Sequence, residues 1–205
     1  MEMLLDAGDA KRLVRNLLNA PIAPGKYSHF INVGTDHILD ALDQNYFRGE
    51  LADGIGCFKY LEGDYGSGKT QFINSLAQRA SEQNVVTALV TVGNECPFNS
   101  PAAIFAAIME CFNPPAEAQR DDRGIEVLID CWIARRIRQL GAEPGSDVPE
   151  IVQRQIEQQI GGLWKGAPDP QMASALTTLS LRFLKTNCGA KEAVADSELI
   201  SWIRG

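Results

Sequence analysis

Apolar positions recur at two periods along this chain, and their alternation predicts a mixed α/β protein. Leu13, Leu17 and Leu18 stand at helical spacing in a segment that opens near Asp9 and stops at Ala20-Pro21. A Pro/Gly loop, Pro21–Gly25, leads to the apolar entry Phe30–Val33, closed by Gly34. Thr35 then predicts an N-cap for a helix carrying Ile38, Leu39, Leu42 and Phe47, with Asp36 and Asp40 placed to suit its dipole. After the Asp53-Gly54 turn, Cys57-Phe58-Lys59-Tyr60-Leu61 reads as a short strand ended by Gly63. Lys69–Gln83 is helical in period through Phe72, Ile73, Leu76 and Ala77. Val85–Val92 is almost continuously apolar and β-branched, the pattern of a strand buried on both faces.

A strand, a helix and a strand in this order predict a right-handed βαβ unit and hence a parallel sheet. Beyond it the pattern is helical, over Pro101–Phe112, Asp121–Leu140, Pro149–Ile160, Pro170–Thr186 and Lys191–Arg204. Residues 1–115 form the expected nucleotide-binding core with N-terminal helices. Residues 116–205 form a helical region that continues the domain or leads to a further part. A nucleotide-binding parallel sheet usually has four or five strands, and two are clear here. Either strands are hidden in ambiguous segments, or the chain is the first part of a longer one.

Composition narrows the class. The 205 residues are 45% hydrophobic and 22% charged, as in a globular protein. Acidic groups outnumber basic ones, 26 to 19, for a net charge of −7, so any contact with nucleic acid must come from a local patch. Five widely spaced cysteines, with no Cys-x-x-Cys pair, argue against a disulfide framework or a zinc knuckle and for buried thiols in a reducing compartment. The N-terminus lacks a basic leader and no apolar stretch is long enough to span a membrane, so a cytoplasmic location is expected.

The candidate chemistry lies in Gly63-Asp64-Tyr65-Gly66-Ser67-Gly68-Lys69-Thr70, which satisfies G-x-x-x-x-G-K-[ST] at every fixed position. Glycines at 63, 66 and 68 let the backbone wrap closely around phosphate oxygens. The amides of this loop converge at a helix N-terminus as an anion nest. Lys69 adds a full positive charge for the β and γ phosphates, and the Thr70 hydroxyl is placed to ligate Mg²⁺. Asp64 and Tyr65 occupy the variable part of the loop, and Gln71 follows it in the helix. A nucleoside triphosphate with Mg²⁺ is the expected ligand.

Hydrolysis requires a second acid for the metal and a carboxylate for the attacking water. Val127-Leu128-Ile129-Asp130 imitates the usual apolar run ending in acids, but its spacing is helical and Cys131 follows, so Asp130 reads as a helix residue. Glu95, just past the Val85–Val92 strand, is the candidate catalytic carboxylate beside Lys69; its plain reading is a solvated loop acid. Arg135, Arg136 and Arg138, with Arg120 and Arg123 upstream, make the basic cluster; it reads first as a solvated helix face, and otherwise as a contact for DNA phosphates or for a neighbouring subunit's nucleotide. His29 and His37 show no metal-ligand spacing. Trp132, Trp164 and Trp202 read as core or contact residues, and Gly161–Gly166 as a joint between helices.

Three segments carry a family resemblance: Val33–Asp36, Phe58–Thr70 and Asn94–Phe98. Together with the terminal Trp202-Ile203-Arg204-Gly205 they resemble the P-loop ATP-binding components of bacteriophage-exclusion defence systems, relatives of AAA+ ATPases of the origin-recognition type. The resemblance implies an AAA+-like P-loop domain and ATP bound through Gly63, Gly66, Ser67, Gly68, Lys69 and Thr70. It implies a multi-protein, DNA-linked defence complex, with other subunits and copies of the chain as partners. It places Val33 and Gly34 beside the adenine, although a turn opening the next helix explains them equally well. It also implies that the acidic strand and sensor residues lie beyond Gly205. The leading expectation is thus an ATPase-family module; a nucleotide-gated assembly module without hydrolysis, or a small-molecule or nucleotide kinase, are the alternatives.

Overall fold

The computed structural model describes residues 6–19, 31–118, 120–166, 169–190 and 197–204. Two compact units divide the chain: Met1–Val85 with Pro115–Glu117, and Val86–Pro114 with Ala118–Gly205.

In the first unit, α1 (Ala7–Asn19) buries Leu13 and leaves Leu18 exposed. Helix α2 (Asp36–Leu42) runs straight into a π-helix, Asp43–Glu50. Thr35 stands at the N-cap of α2 but makes no capping bond; its hydroxyl donates to Asn32 Oδ1 at 2.6 Å, while Asn32 Nδ2 bonds Asp36 Oδ1 at 2.9 Å. At the junction of the two helices Asp43 is buried and accepts from both Nε and Nη2 of Arg48. That pairing neutralises a carboxylate which would be costly to desolvate alone. Helix α3 (Lys69–Glu82) packs on α2 and on the π-helix, burying Ala80, while α2 buries Leu39.

The second unit is a helical core. Helix α4 (Pro101–Cys111) begins with Ser100 Oγ accepting from the Ala103 amide at 3.3 Å and with proline at its first position. Helix α5 (Ile125–Gln139) turns Ile125, Ile129, Ile133 and Ile137 inward at every fourth residue. Val152, Ile156 and Ile160 do the same on α6 (Glu150–Leu163), and Leu176, Leu179 and Leu184 line the inner face of α7 (Pro170–Asn187). These form one cluster, completed by Ile203 of α8 (Ser197–Arg204). A fully buried isoleucine or leucine contributes about 1.5–3 kcal/mol relative to exposure, so this face outweighs every polar contact in the unit.

The expected parallel sheet is overturned. Among the described residues the strands are β1 (Thr87–Ala88) and β2 (Phe112–Asn113), paired antiparallel with Thr87 opposite Asn113 and Ala88 opposite Phe112. The partner of the Val85–Val92 run is Phe112–Asn113, the segment that directly follows α4, not an upstream strand, and the two run antiparallel. Cys57–Leu61 forms no strand; it is irregular and exposed throughout, with Phe58 and Tyr60 85% and 79% exposed. Leu89 and Val92 are exposed too, so the apolar run is not covered on both faces. With one neighbour, β1 extends over only two residues.

The helical expectations fare differently. Pro101–Phe112, Pro149–Ile160 and Pro170–Thr186 correspond to α4, α6 and α7 within a few residues. The helix expected from Asp121 starts at Ile125, because Gly124 at φ +119° breaks the helical path just before it. The joint expected at Gly161 begins later, since α6 runs through Leu163. Pro21–Gly25, His29 and the first residues of the Lys191–Arg204 helix lie outside the described residues. All five cysteines are free thiols; Cys57 is exposed and the other four are half-buried rather than buried.

Candidate functional site

The glycine-rich segment meets α3 as a tight loop at the helix N-terminus. Gly66 and Gly68 adopt φ of +83° and +88°, a conformation glycine takes without steric cost. The Ser67 amide closes the turn onto the Asp64 carbonyl at 3.2 Å. Gly63 closely approaches Ser67: a Cβ there would lie 2.7 Å from Ser67 Oγ, and the hydroxyl would have to turn aside. Gly68 caps α3 without a side chain, and the first helical bond runs from the Phe72 amide to the Gly68 carbonyl at 2.9 Å. The amides of Lys69 and Thr70 precede that bond, at the positive end of the helix.

Lys69 folds back over this loop. Its Nζ donates to the Gly63 carbonyl at 2.6 Å and to the Asp64 carbonyl at 2.7 Å. The ammonium is therefore held against the loop backbone rather than extended into solvent. Motif spacing carries no sign of this contact; it requires the loop to curl. Thr70 is exposed in the first turn of α3, and Gln71 behind it is half-buried, with Nε2 at 3.5 Å from Ser75 Oγ. The Tyr65 side chain is wholly exposed.

The structure therefore brings together Gly63, Asp64, Ser67 and Lys69. Val33 is exposed and Gly34 takes φ +80° in the turn before α2. Arg79, in the last turn of α3, pairs with Asp36 at 3.8 Å and with Asp40, and so ties this turn to the helix. Arg79 stands ten residues along α3 from Lys69, roughly 15 Å of helix rise.

Glu95 belongs to the other unit, exposed in a turn closed by the Gly93 amide on the Cys96 carbonyl at 3.1 Å. Asp130 sits within α5 and is engaged structurally, accepting from Arg120 and, at 2.6 Å, from Asn187 Nδ2 of α7. Arg120 also pairs with Asp122, and this guanidinium holds the Asp122 carboxyl below the ordinary carboxylate range. Arg135 and Arg138 are exposed on α5, whereas Arg136 is half-buried and bonded to glutamines. Arg123 and His37 are exposed. Trp132 and Trp164 pack against the core, Trp164 donating to Ser180 Oγ at 3.2 Å, and Trp202 is half exposed.

Among the described residues no group of three His, Cys, Asp or Glu side chains is placed to hold a metal ion. No helix among them is long and apolar enough to cross a membrane.

A lysine and two left-handed glycines thus curl together at the N-terminus of α3, where the ammonium and the free amides of the first helical turn lie side by side. The family described as BREX system ATP-binding protein BrxC/D matches residues 9–205, nearly the whole chain, and the chain belongs to that family. It is thus an ATP-binding protein of the BREX defence system, in agreement with the resemblance carried by its motifs. Comparison with the curated proteins and with the solved structures gives no match.

Proposed function

We propose that Gly63–Thr70 is the Walker A phosphate loop through which this chain binds ATP with Mg²⁺. The observation carrying this reading is the Lys69 ammonium, seated on the Gly63 and Asp64 carbonyls at the mouth of α3. A polyphosphate offers this ammonium charged acceptors in place of neutral carbonyls, and charge-assisted bonds are the stronger kind. Gly66, Ser67 and Gly68 would present main-chain donors beside it. Thr70 would contribute its hydroxyl to the magnesium ion, and Gln71 would stand next to that contact. Bound magnesium would supply charge neutralisation across the β and γ phosphates. Val33 and Gly34 are the proposed base-side residues.

A role as an ATPase module within a defence complex, with other subunits and copies of itself as partners, completes the reading. One observation favours a second reading, nucleotide binding without turnover. Asp130, the nearest sequence imitation of a metal-positioning acid, is committed to Arg120 and Asn187, and Glu95 is the remaining candidate carboxylate. Titration of a fluorescent ATP analogue, with steady-state phosphate release measured beside it, tests both. Magnesium-dependent binding lost in Lys69→Ala supports the loop assignment, and unchanged affinity defeats it. Phosphate release that falls in Glu95→Gln while binding persists selects the hydrolytic reading.

A further inference from the structure

Two carboxylates of α2 share one cation. Asp36 and Asp40 stand about one turn apart on the same side of the helix, a spacing at which like charges repel. Arg79, in the last turn of α3, lies against both: Nη2 is 3.8 Å from Asp36 Oδ1, and Nη1 bonds Asp40 Oδ1. The arginine is half-buried and the carboxylates are exposed, so the guanidinium reaches out from α3 to the edge of α2. A cation at the C-terminal end of α3 and an acid in the first turn of α2 each suit the dipole of their own helix.

The grip extends past the start of α2. Asp36 Oδ1 also accepts from Asn32 Nδ2 at 2.9 Å, and Asn32 Oδ1 accepts from the Thr35 hydroxyl at 2.6 Å. Asn32 and Thr35 bracket Val33 and Gly34, so these bonds fasten the turn from both sides. Within it, Val33 holds an apolar side chain in the open, 88% exposed. Gly34, at φ +80°, has no atom within 4 Å of where a Cβ would stand, which leaves its main chain accessible. A fastened turn that sets an apolar side chain beside open backbone offers what a flat heterocycle takes: an apolar surface, and main-chain donors and acceptors for its edge.

Helix α3 therefore has a task at each end. The phosphate loop leads into its first turn, and Arg79 in its last turn holds the Val33–Gly34 turn through Asp36. A nucleoside triphosphate is elongated, with a ribose and three phosphates between its base and its outermost oxygens, and the base needs a support apart from that of the phosphates.

We infer that Arg79 is a positioning residue for the nucleobase: through Asp36 and Asp40 it fixes the Val33–Gly34 turn to the helix that opens at the phosphate loop. This role rests on the proposed assignment of Val33 and Gly34 to the base side. Arg79 acts through the turn and not on the ligand, sparing binding the ordering it would otherwise have to impose.

Titration calorimetry of the 205-residue chain with ATP and with inorganic tripolyphosphate, both with magnesium, separates the base from the phosphates. In Arg79→Ala, ATP affinity is expected to fall about three- to tenfold, the scale of ordering a few groups, while tripolyphosphate affinity stays at the parent value. Arg79→Lys, which keeps the charge, is expected to recover part of the ATP affinity. Asp36→Asn combined with Asp40→Asn removes the same contacts from α2, at exposed positions where the fold tolerates it, and is expected to match Arg79→Ala. Unchanged ATP affinity in both variants overturns the inference. So does an equal fall for ATP and tripolyphosphate, which would assign Arg79 to the helix as a whole. Val33→Asp keeps the two assignments apart. ATP affinity lost there but retained in Arg79→Ala overturns the role of Arg79 alone, and affinity unchanged in Val33→Asp overturns the base-side assignment and the inference with it.

Discussion

Lys69 Nζ donates to the carbonyl of Gly63, six residues earlier in the chain, at 2.6 Å. This bond closes the loop on itself and places a full positive charge where the amides of Lys69 and Thr70 begin α3. Hydrogen bonds to charged groups contribute about 1.5–3 kcal/mol. Lys69→Ala is expected to lower ATP affinity by about tenfold or more on that scale, read by titration calorimetry, with little change in thermal stability because the loop is exposed.

Gly63 is tested through its neighbour. A methyl group at this position meets Ser67 Oγ at 2.7 Å, so in Gly63→Ala the Ser67 hydroxyl must turn away from its present place in the loop. The expected outcome is weaker ATP binding in Gly63→Ala and partial recovery in the Gly63→Ala, Ser67→Gly pair, which removes both the hydroxyl and the Cβ. Equal affinities in all three proteins would show that loop closure has no part in binding.

In the second unit, Arg204 of α8 pairs with Glu126 of α5, and its other amine lies 3.9 Å from Glu110 of α4. The Glu126 side chain is 18% exposed, so removing the arginine strands a largely desolvated carboxylate. Breaking such a pair from one side costs about 3 kcal/mol. Urea denaturation is expected to show that loss for Arg204→Ala and a smaller one for the Arg204→Ala, Glu126→Leu double variant.

Ile156 is fully buried between α5 and α7 in the central cluster. Truncation to alanine removes that contact and leaves a cavity, at a cost of about 2–5 kcal/mol. Thermal unfolding of Ile156→Ala should shift by several degrees, whereas Ile151→Ala, at an exposed position on the same helix, should scarcely move.

The thiols divide by environment. Burial pushes the Cys131 and Cys188 thiols above the ordinary range, with Glu157 adding to the shift at Cys188. Cys57 is exposed. Alkylation at neutral pH followed by mass spectrometry is expected to label Cys57 first and Cys131 and Cys188 last. Because the raised thiols hold their protons longer when folded, they favour the native state below the unfolded thiol pKa. That contribution is lost as alkaline pH passes through the folded values.

The helices of the second unit were legible because their apolar residues keep one period over several turns. Ile125, Ile129, Ile133 and Ile137 point to a buried stripe whatever they pack against, and proline follows a capping residue at both Ser100-Pro101 and Asp169-Pro170. The strands were misread because a short apolar run such as Val85–Val92 states only that it is hydrophobic. Pairing partner and direction come from the rest of the chain, and here the partner is Phe112–Asn113.

The order of residues alone marked out the candidate loop: glycine, lysine and threonine at fixed spacing predict a curled backbone, a cation and a hydroxyl within one turn, and the backbone does curl there, with Gly66 and Gly68 at positive φ. Local periodicity likewise determined where most helices lie. Tertiary structure decided the rest: the seat of Lys69 on two carbonyls, the commitment of Asp130 to Arg120 and Asn187, and the antiparallel pairing of β1 with β2. The division has a physical cause. Backbone conformation and helical amphipathicity are set by neighbours within a few residues, whereas ion pairs and strand partners join positions whose separation in the chain says nothing of their distance in space.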